Sequence, residues 1–267
     1  MPRGTKIGHL GTLDPIASGV LPLAVNKATR IIPFINNEDK EYIAELTFGA
    51  VSDTYDATGN ITTNNKTVNL DQLKEILDKF KGKIKQLPPM HSAVHYEGKR
   101  LYELARKGIQ VERPEREVEI YFIDILNINM PTITLRVGCS RGTYIRSLCH
   151  DIGQLTGAGA YISSLIRTKS GVFRMENALE LEDIFNFNDP VSSYLLPIDY
   201  PVQYLTALEL KKPQDLLAVK NGNVLYYDEY ITSNYVRLYS AIQELVAIAK
   251  VELADKISKI KPVRVFI

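Results

Sequence analysis

The sequence predicts an α+β protein: a mixed, mainly antiparallel sheet carrying helices, followed by a small β-rich C-terminal domain. Three observations support this. Strand-like and helix-like segments interleave without the regular alternation that a doubly wound parallel sheet requires. Two prolines bracket a short link at Leu196-Pro197-Ile198-Asp199-Tyr200-Pro201, the composition of a domain boundary. Beyond that link only short β-like runs remain. The expected domains are therefore residues 1–200 and 201–267.

Taken in order, the first clear element is a strand over Tyr42–Phe48, where alternation puts Tyr42, Ala44, Leu46 and Phe48 on one face. A helix follows over Leu70–Phe80, with Leu70, Leu73, Ile76, Leu77 and Phe80 at helical spacing. Asn69 is placed to cap it, with Gln72 three positions on, and Gly82 to end it. Ile133, Leu135, Val137 and Cys139 alternate with polar residues, which predicts a half-buried strand leading into Ser140-Arg141-Gly142-Thr143. A second helix is expected next, with Ile145, Leu148, Ile152 and Leu155 on its apolar side and Gly157 as its stop. In the tail, Val224–Tyr227, Tyr235–Tyr239, Leu245–Val251 and Val263–Ile267 read as strands of a small barrel or sandwich.

The 267 residues include 45% apolar and 24% charged side chains, a globular composition with enough length for a substantial core. No apolar run approaches the roughly 18 residues of a transmembrane helix. Met1-Pro2-Arg3-Gly4-Thr5-Lys6 lacks an apolar signal core. Two cysteines, Cys139 and Cys149, suit a reducing compartment rather than a disulfide scaffold. A cytoplasmic protein is expected. The formal net charge of +1 hides an uneven distribution: ten basic and four acidic residues between Lys79 and Arg116 make that segment +6. Tyr96, Tyr102, His91 and His95 are interleaved among these charges. Basic groups neutralise phosphates and rings stack on bases, so the segment fits an RNA-binding surface. A solvated helix face with pairs such as Glu103–Lys107 fits it equally.

The stretch from Lys6 to Pro22 holds three glycines, two prolines and one acid. Pro15 biases Asp14 toward extended backbone, and the glycines permit turns that other residues resist. Such a loop can present one carboxylate in a fixed geometry. It has neither the Walker A nor the Rossmann spacing. A structural Asp capping a turn is the competing reading.

The words of this loop are nevertheless specific. Gly8-His9-Leu10-Gly11-Thr12-Leu13-Asp14-Pro15-Ile16-Ala17-Ser18-Gly19-Val20-Leu21-Pro22 resembles the signature loop of the bacterial tRNA pseudouridine-55 synthase (TruB) family. Further matches follow in order: Lys40-Glu41-Tyr42, then Ser52-Asp53-Thr54-Tyr55-Asp56-Ala57-Thr58-Gly59, the Pro88–Tyr102 segment, Cys139-Ser140-Arg141-Gly142-Thr143-Tyr144-Ile145-Arg146, and Leu165-Ile166-Arg167-Thr168. More weakly, Lys220–Val224 and Lys261–Phe266 resemble the family's C-terminal PUA-type RNA-binding module. Family members carry a first strand and a K-P-x-G-x-[ST]-S motif ahead of the loop. Lys6 already stands at the loop here, so the chain is expected to lack that strand.

The resemblance implies a pseudouridine synthase domain followed by a PUA-like domain, acting on the T-arm of tRNA as a cytoplasmic monomer. It implies that Asp14 is the catalytic residue, attacking the ribose or assisting departure of the base. Arg146 would pair with and orient Asp14. Tyr42 would stack on the uracil and serve in removing the C5 proton. Tyr144 and Leu165 would line the pocket, His9 would touch the flipped RNA, and Lys99 and Arg100 would hold the backbone. Each has a plainer reading as packing or surface. No cofactor or metal is expected, because the isomerisation conserves oxidation state. His91 and His95 lack a third ligand, Cys139, Cys149 and His150 lack metal spacing, and no nucleophile elbow supports a serine hydrolase. The alternative function is a non-catalytic tRNA-binding or folding chaperone. A guide-dependent modifier of ribosomal RNA is less favoured, since nothing suggests long partner-binding extensions.

Overall fold

The computed structural model describes residues 4–36, 39–92, 94–186, 191–254 and 257–267. Its strands are β1 (Ile7–His9), β2 (Ala17–Gly19), β3 (Leu23–Val25), β4 (Lys40–Phe48), β5 (Ala50–Ser52), β6 (Ile61–Thr63), β7 (Gly82–Gln86), β8 (His95–Tyr96), β9 (Lys99–Arg100), β10 (Arg116–Asn129), β11 (Thr132–Cys139), β12 (Ala160–Ser170), β13 (Phe173–Arg174), β14 (Thr206–Glu209), β15 (Leu225–Tyr227), β16 (Tyr235–Tyr239), β17 (Leu245–Ala254) and β18 (Ile257–Val265). The α-helices are α1 (Leu70–Lys79), α2 (Leu101–Ala105), α3 (Ile145–Thr156), α4 (Leu181–Asn186) and α5 (Pro213–Lys220). Two compact units result. One comprises Gly11–Pro22 and Asn37–Ala178, the other Met1–Leu10, Leu23–Asn36 and Leu179–Ile267.

The first unit is built on a sheet of order β13-β12-β4-β11-β10-β7, antiparallel throughout, with β2 added in parallel beside β12. The expected alternation holds in β4, where Ala44, Leu46 and Phe48 are buried, and in β11, where Ile133, Leu135, Val137 and Cys139 are. Helices α1 and α3 bury Leu73, Ile76, Leu77, Leu148 and Ile152 in the same core as these strands. Each such burial is worth about 1.5–3 kcal/mol, against a few tenths for an exposed i,i+4 ion pair, so packing fixes these helices. Asn69 caps α1 by accepting from the amides of Asp71 and Gln72. Gly157 ends α3 at φ 73°, in the left-handed region. Leu155, expected on the buried side of α3, is 55% exposed. The buried stripe runs instead through Cys149, Ile152 and Gly153.

Two long strands, β10 and β12, do not announce themselves by alternation, because each contains register shifts. In β12 the buried positions change parity across the shift between Ile162 and Ser164, from Ala160 and Ile162 to Leu165 and Arg167. In β10 the buried set changes from Val118 and Ile120 to Ile123 across the shift between Ile120 and Phe122. A bulge of this kind turns the following side chains to the other face.

The second unit holds a five-stranded sheet of order β14-β16-β17-β18-β15, antiparallel except for β14 beside β16. Val236, Leu238, Val246, Ala247 and Ile260 form its core with Val219 of α5. A further cluster joins Ile31 to Val202, Leu205, Ile248 and Phe266, with Phe34 and Ile35 packed against it. Lys27 Nζ donates to the Phe266 carbonyl at 2.8 Å. The four β-like runs of the tail thus form strands, although the last two are longer than the sequence suggested. α5, with Pro213 in its first turn, was not apparent from periodicity.

Candidate active site

The loop carrying Asp14 is held where β2 pairs with β12, in the register Leu165↔Ala17, Ile166↔Ser18 and Arg167↔Gly19. Gly19 has φ 100°, and a Cβ there would lie 2.2 Å from the Arg167 carbonyl oxygen, so only glycine fits without the backbone shifting. The turn beginning at Asp14 is closed by the Ala17 amide donating to the Asp14 carbonyl at 2.8 Å. The Asp14 carboxylate remains 34% exposed, the one acid of the loop open to a ligand.

Facing it is Arg146, in the first turn of α3 and 2% exposed. Arg146 Nε donates to Asp14 Oδ2 at 2.8 Å and Nη2 to Asp14 Oδ1 at 2.9 Å. This fork-to-fork pair fixes both the distance and the plane of the carboxylate. Arg146 Nη2 also donates to the His91 carbonyl at 2.9 Å and Nη1 to the Thr54 carbonyl at 3.2 Å. A second carboxylate, Asp56, stands 3.5 Å from Nη1 and is 1% exposed. Its Oδ1 accepts from Thr54 Oγ1 and from both the amide and the hydroxyl of Thr58. One guanidinium therefore lies between a buried, fully bonded acid and a half-open one.

The start of α3 is located by Gln86, the last residue of β7. Its side chain accepts from the Tyr144 amide at 2.7 Å and donates to the Tyr144 carbonyl at 3.0 Å. Ser147 Oγ adds a bond to the Leu87 carbonyl. The Gln86–His91 stretch, stiffened by Pro88 and Pro89, thus aligns the turn that carries Arg146.

Tyr42 lies on β4 with Val137 on one side and Arg167 on the other. Burial pushes its phenol up to about 12, and the nearby Asp14 charge acts in the same direction while Arg167 opposes it. Leu165 is buried on β12, with Ala44 and Ala17 on its two neighbouring strands. Tyr144, partly exposed, occupies the residue before α3. On the same strand as Tyr42, Lys40 donates to Ser170 Oγ at 2.6 Å, and burial brings its ammonium down to about 8.

The fold therefore gathers Asp14, Arg146, Tyr42, Tyr144 and Leu165 in one unit. His9 belongs to the other unit, exposed at the end of β1 opposite Leu23 of β3. Lys99 and Arg100 form β9 of a small hairpin with β8, both exposed, and neither bonds Asp14 or Arg146. Beside that hairpin a cavity of about 300 Å³ is lined by Pro88, Tyr96, Leu101 and Arg113. Among the described residues, no group of three His, Cys, Asp or Glu side chains is arranged to hold a metal, and no helix is long and apolar enough to cross a membrane.

Three residues in this site escaped the sequence reading. Asp56 and Arg167 stand inside motifs that were legible, but nothing in the spacing said that they were buried. Gln86 had a usable signal, since it takes the inward phase of β7 after Ile84, where an apolar residue is expected, while Lys83 and Lys85 point out.

Residues 2–145 match the family described as TruB family pseudouridylate synthase (N terminal domain), and residues 146–203 match the tRNA pseudouridylate synthase B C-terminal domain. This chain belongs to the TruB family. A TruB relative from Syntrophomonas wolfei, tRNA pseudouridine synthase B, is 50% identical over 271 residues, covering 100% of this chain and 90% of that protein. The protein of the same name from Clostridium tetani is 44% identical over 222 residues, covering 82% of this chain and 76% of the relative. Among solved structures, a Cbf5-Nop10-Gar1 complex matches with a TM-score of 0.72 at 30% identity, over 98% of this chain and 77% of the matched one. An H/ACA RNP bound to a substrate RNA containing 2'-deoxyuridine matches with a TM-score of 0.71 at 27% identity, over 98% and 76%. This TruB member is thus a pseudouridine synthase, an isomerase that acts on RNA, and its C-terminal β-rich part is PUA-like.

Proposed function

We propose that this chain converts uridine 55 in the T-loop of tRNA to pseudouridine, with Asp14 as the nucleophile. The observation that carries the reading is the two-bond pairing of the half-open Asp14 carboxylate with Arg146. A carboxylate held in one plane and open on one side suits attack on a sugar anomeric carbon. Asp14 attacks C1′ or assists departure of the uracil anion, so the C1′–N1 bond breaks. The base turns and rejoins C1′ through C5, displacing the Asp14 carboxylate where it has bonded C1′; the C5 proton leaves and N1 gains one. Bonds and oxidation state balance without a redox partner.

Tyr42 would stack on the ring and serve in C5 proton removal, and Tyr144 and Leu165 would line the pocket. The target nucleotide has to leave its stack to reach these groups. His9, Lys99 and Arg100 would contact the RNA, read chiefly through the shape of the T-arm. Residues 1–200 would carry catalysis and 201–267 would bind RNA as a PUA-like module, the chain working as a cytoplasmic monomer.

The test is Asp14→Asn, assayed with an unmodified tRNA transcript by mass-shift labelling of pseudouridine. Product formation is expected to vanish while transcript binding survives. Turnover near that of the parent chain would sink the assignment of Asp14. A parent chain that binds the transcript and makes no product would instead be a tRNA-binding chaperone.

A further inference from the structure

We propose that Arg167 is a positioning residue: a buried guanidinium that staples both stems of the Asp14 loop and so sets the angle at which the carboxylate is offered. The proposal deepens the reading above and rests on Asp14 being the reacting acid.

Arg167 is 2% exposed and is among the largest fully buried side chains. Burying a guanidinium is costly unless its donors are met, and here the loop itself meets them. Nη2 donates to the Gly11 carbonyl at 3.2 Å, Nη1 to the Thr12 carbonyl at 3.1 Å and Nε to the Val20 carbonyl at 2.8 Å. Gly11 and Thr12 precede Asp14 and Val20 follows it, so one side chain ties the entry of the loop to its exit. The main chain repeats the tie, with the Val20 amide donating to the Arg167 carbonyl at 2.9 Å. Gly19 gives the close approach that this second bond needs, as its missing Cβ would strike the same carbonyl oxygen.

Arg167 also stands directly across from Tyr42 in the β12–β4 pairing. A single residue therefore sets the Asp14 loop relative to the strand that bears the tyrosine. Arg146 orients the carboxylate from its open end; Arg167 fixes the backbone from which it hangs. Lysine cannot substitute, because a compact ammonium cannot span three carbonyls arranged for a planar fork.

The experiment uses the full chain and Arg167→Lys, with three readouts: single-turnover pseudouridine formation on a tRNA transcript, transcript affinity by filter binding, and amide hydrogen exchange. Misplacement of a reacting group by about 1 Å costs about 100-fold in rate. Arg167→Lys is therefore expected to slow single turnover about 100-fold with affinity held within about twofold. Amides of residues 11–20 should exchange faster, while those of α3 and β11 do not change. A rate within about threefold of the parent overturns the proposal, as does unchanged exchange in the loop or a rate loss explained by weaker RNA binding. Should Arg167→Lys fail to fold, Gly19→Ala presses on the same staple from the loop side and is expected to give the same signature. A folded Gly19→Ala with full rate overturns the proposal. A parent chain that makes no pseudouridine would defeat the catalytic reading alone, and the exchange of residues 11–20 would still decide whether Arg167 is the staple.

Discussion

Gln86 grips the backbone of Tyr144 in both directions, donating to its carbonyl and accepting from its amide. Strand β7 and helix α3 are thereby joined by a side chain that behaves like a strand neighbour. Gln86→Leu keeps the bulk and leaves the Tyr144 amide without this partner, while the Tyr144 carbonyl keeps the Leu148 amide. A buried polar group left unmet costs about 1–3 kcal/mol, so with one such group the variant is expected to lose about 1–2 kcal/mol. Urea unfolding should show a lower midpoint at an unchanged slope. An unaltered midpoint would show that water replaces the amide at no cost.

Asp56 and Arg146 are 1% and 2% exposed. Removing one member of a buried ion pair costs about 3–5 kcal/mol, because the other charge is left behind. Asp14 still compensates Arg146, so Asp56→Ala is expected at the lower end, about 3 kcal/mol. Asp56→Asn retains an oxygen for the Thr54 and Thr58 bonds and should lose less. Equal losses in the two variants, measured by thermal or urea unfolding, would place the stabilisation in the charge alone.

Burial raises the Asp151 carboxyl from 3.8 to about 6. A folded-state value above the unfolded one means that the folded chain binds the proton more tightly. The stability this contributes is present below about pH 4 and is lost as the pH rises through about 6. Asp151→Asn cannot titrate, so its urea midpoint relative to the parent should climb between pH 4 and 6 and then level off. His150, which burial shifts downward, acts in the opposite sense: its contribution is full above 6.5 and is lost at lower pH. It is common to both chains and cancels in the difference. Parallel midpoint curves would refute the Asp151 assignment.

Lys99 and Arg100 are exposed on a two-residue strand, where alanine costs the fold little. If both neutralise phosphates, Lys99→Ala with Arg100→Ala should weaken transcript binding and flatten its salt dependence. Each lost contact is worth about 0.7–0.9 in the slope of log affinity against log salt. Single-turnover rate at saturating chain should be unaffected. An unchanged slope would take the hairpin out of the RNA interface.

How much the sequence revealed depended on local regularity. β4, β11, α1 and most of α3 were legible because their buried faces keep one period, and Asn69 and Gly157 mark helix ends; only the last turn of α3, at the exposed Leu155, departs from it. β10 and β12 were not, since their register shifts break the alternation partway along. The Asp14–Arg146 pairing was legible only through the resemblance of two motifs separated by more than a hundred positions. The burial of Asp56 and Arg167 was illegible for a related reason: charged residues inside a protein are exceptions to the pattern that makes cores readable.

The loop bearing Asp14 leaves β1 and returns through β3, and these two strands pair as Ile7↔Val25, Gly8↔Ala24 and His9↔Leu23. Just past β3, Ile31, Phe34 and Ile35 pack with Val202, Leu205, Ile248 and Phe266. Deleting the C-terminal module would strip that apolar cover from Ile31, Phe34 and Ile35, which belong to the same compact unit. A chain shortened after residue 200 is therefore expected to expose these side chains to water and to fold less stably. Point changes at exposed positions of the module, which leave Ile248 and Phe266 in place, keep that cover intact.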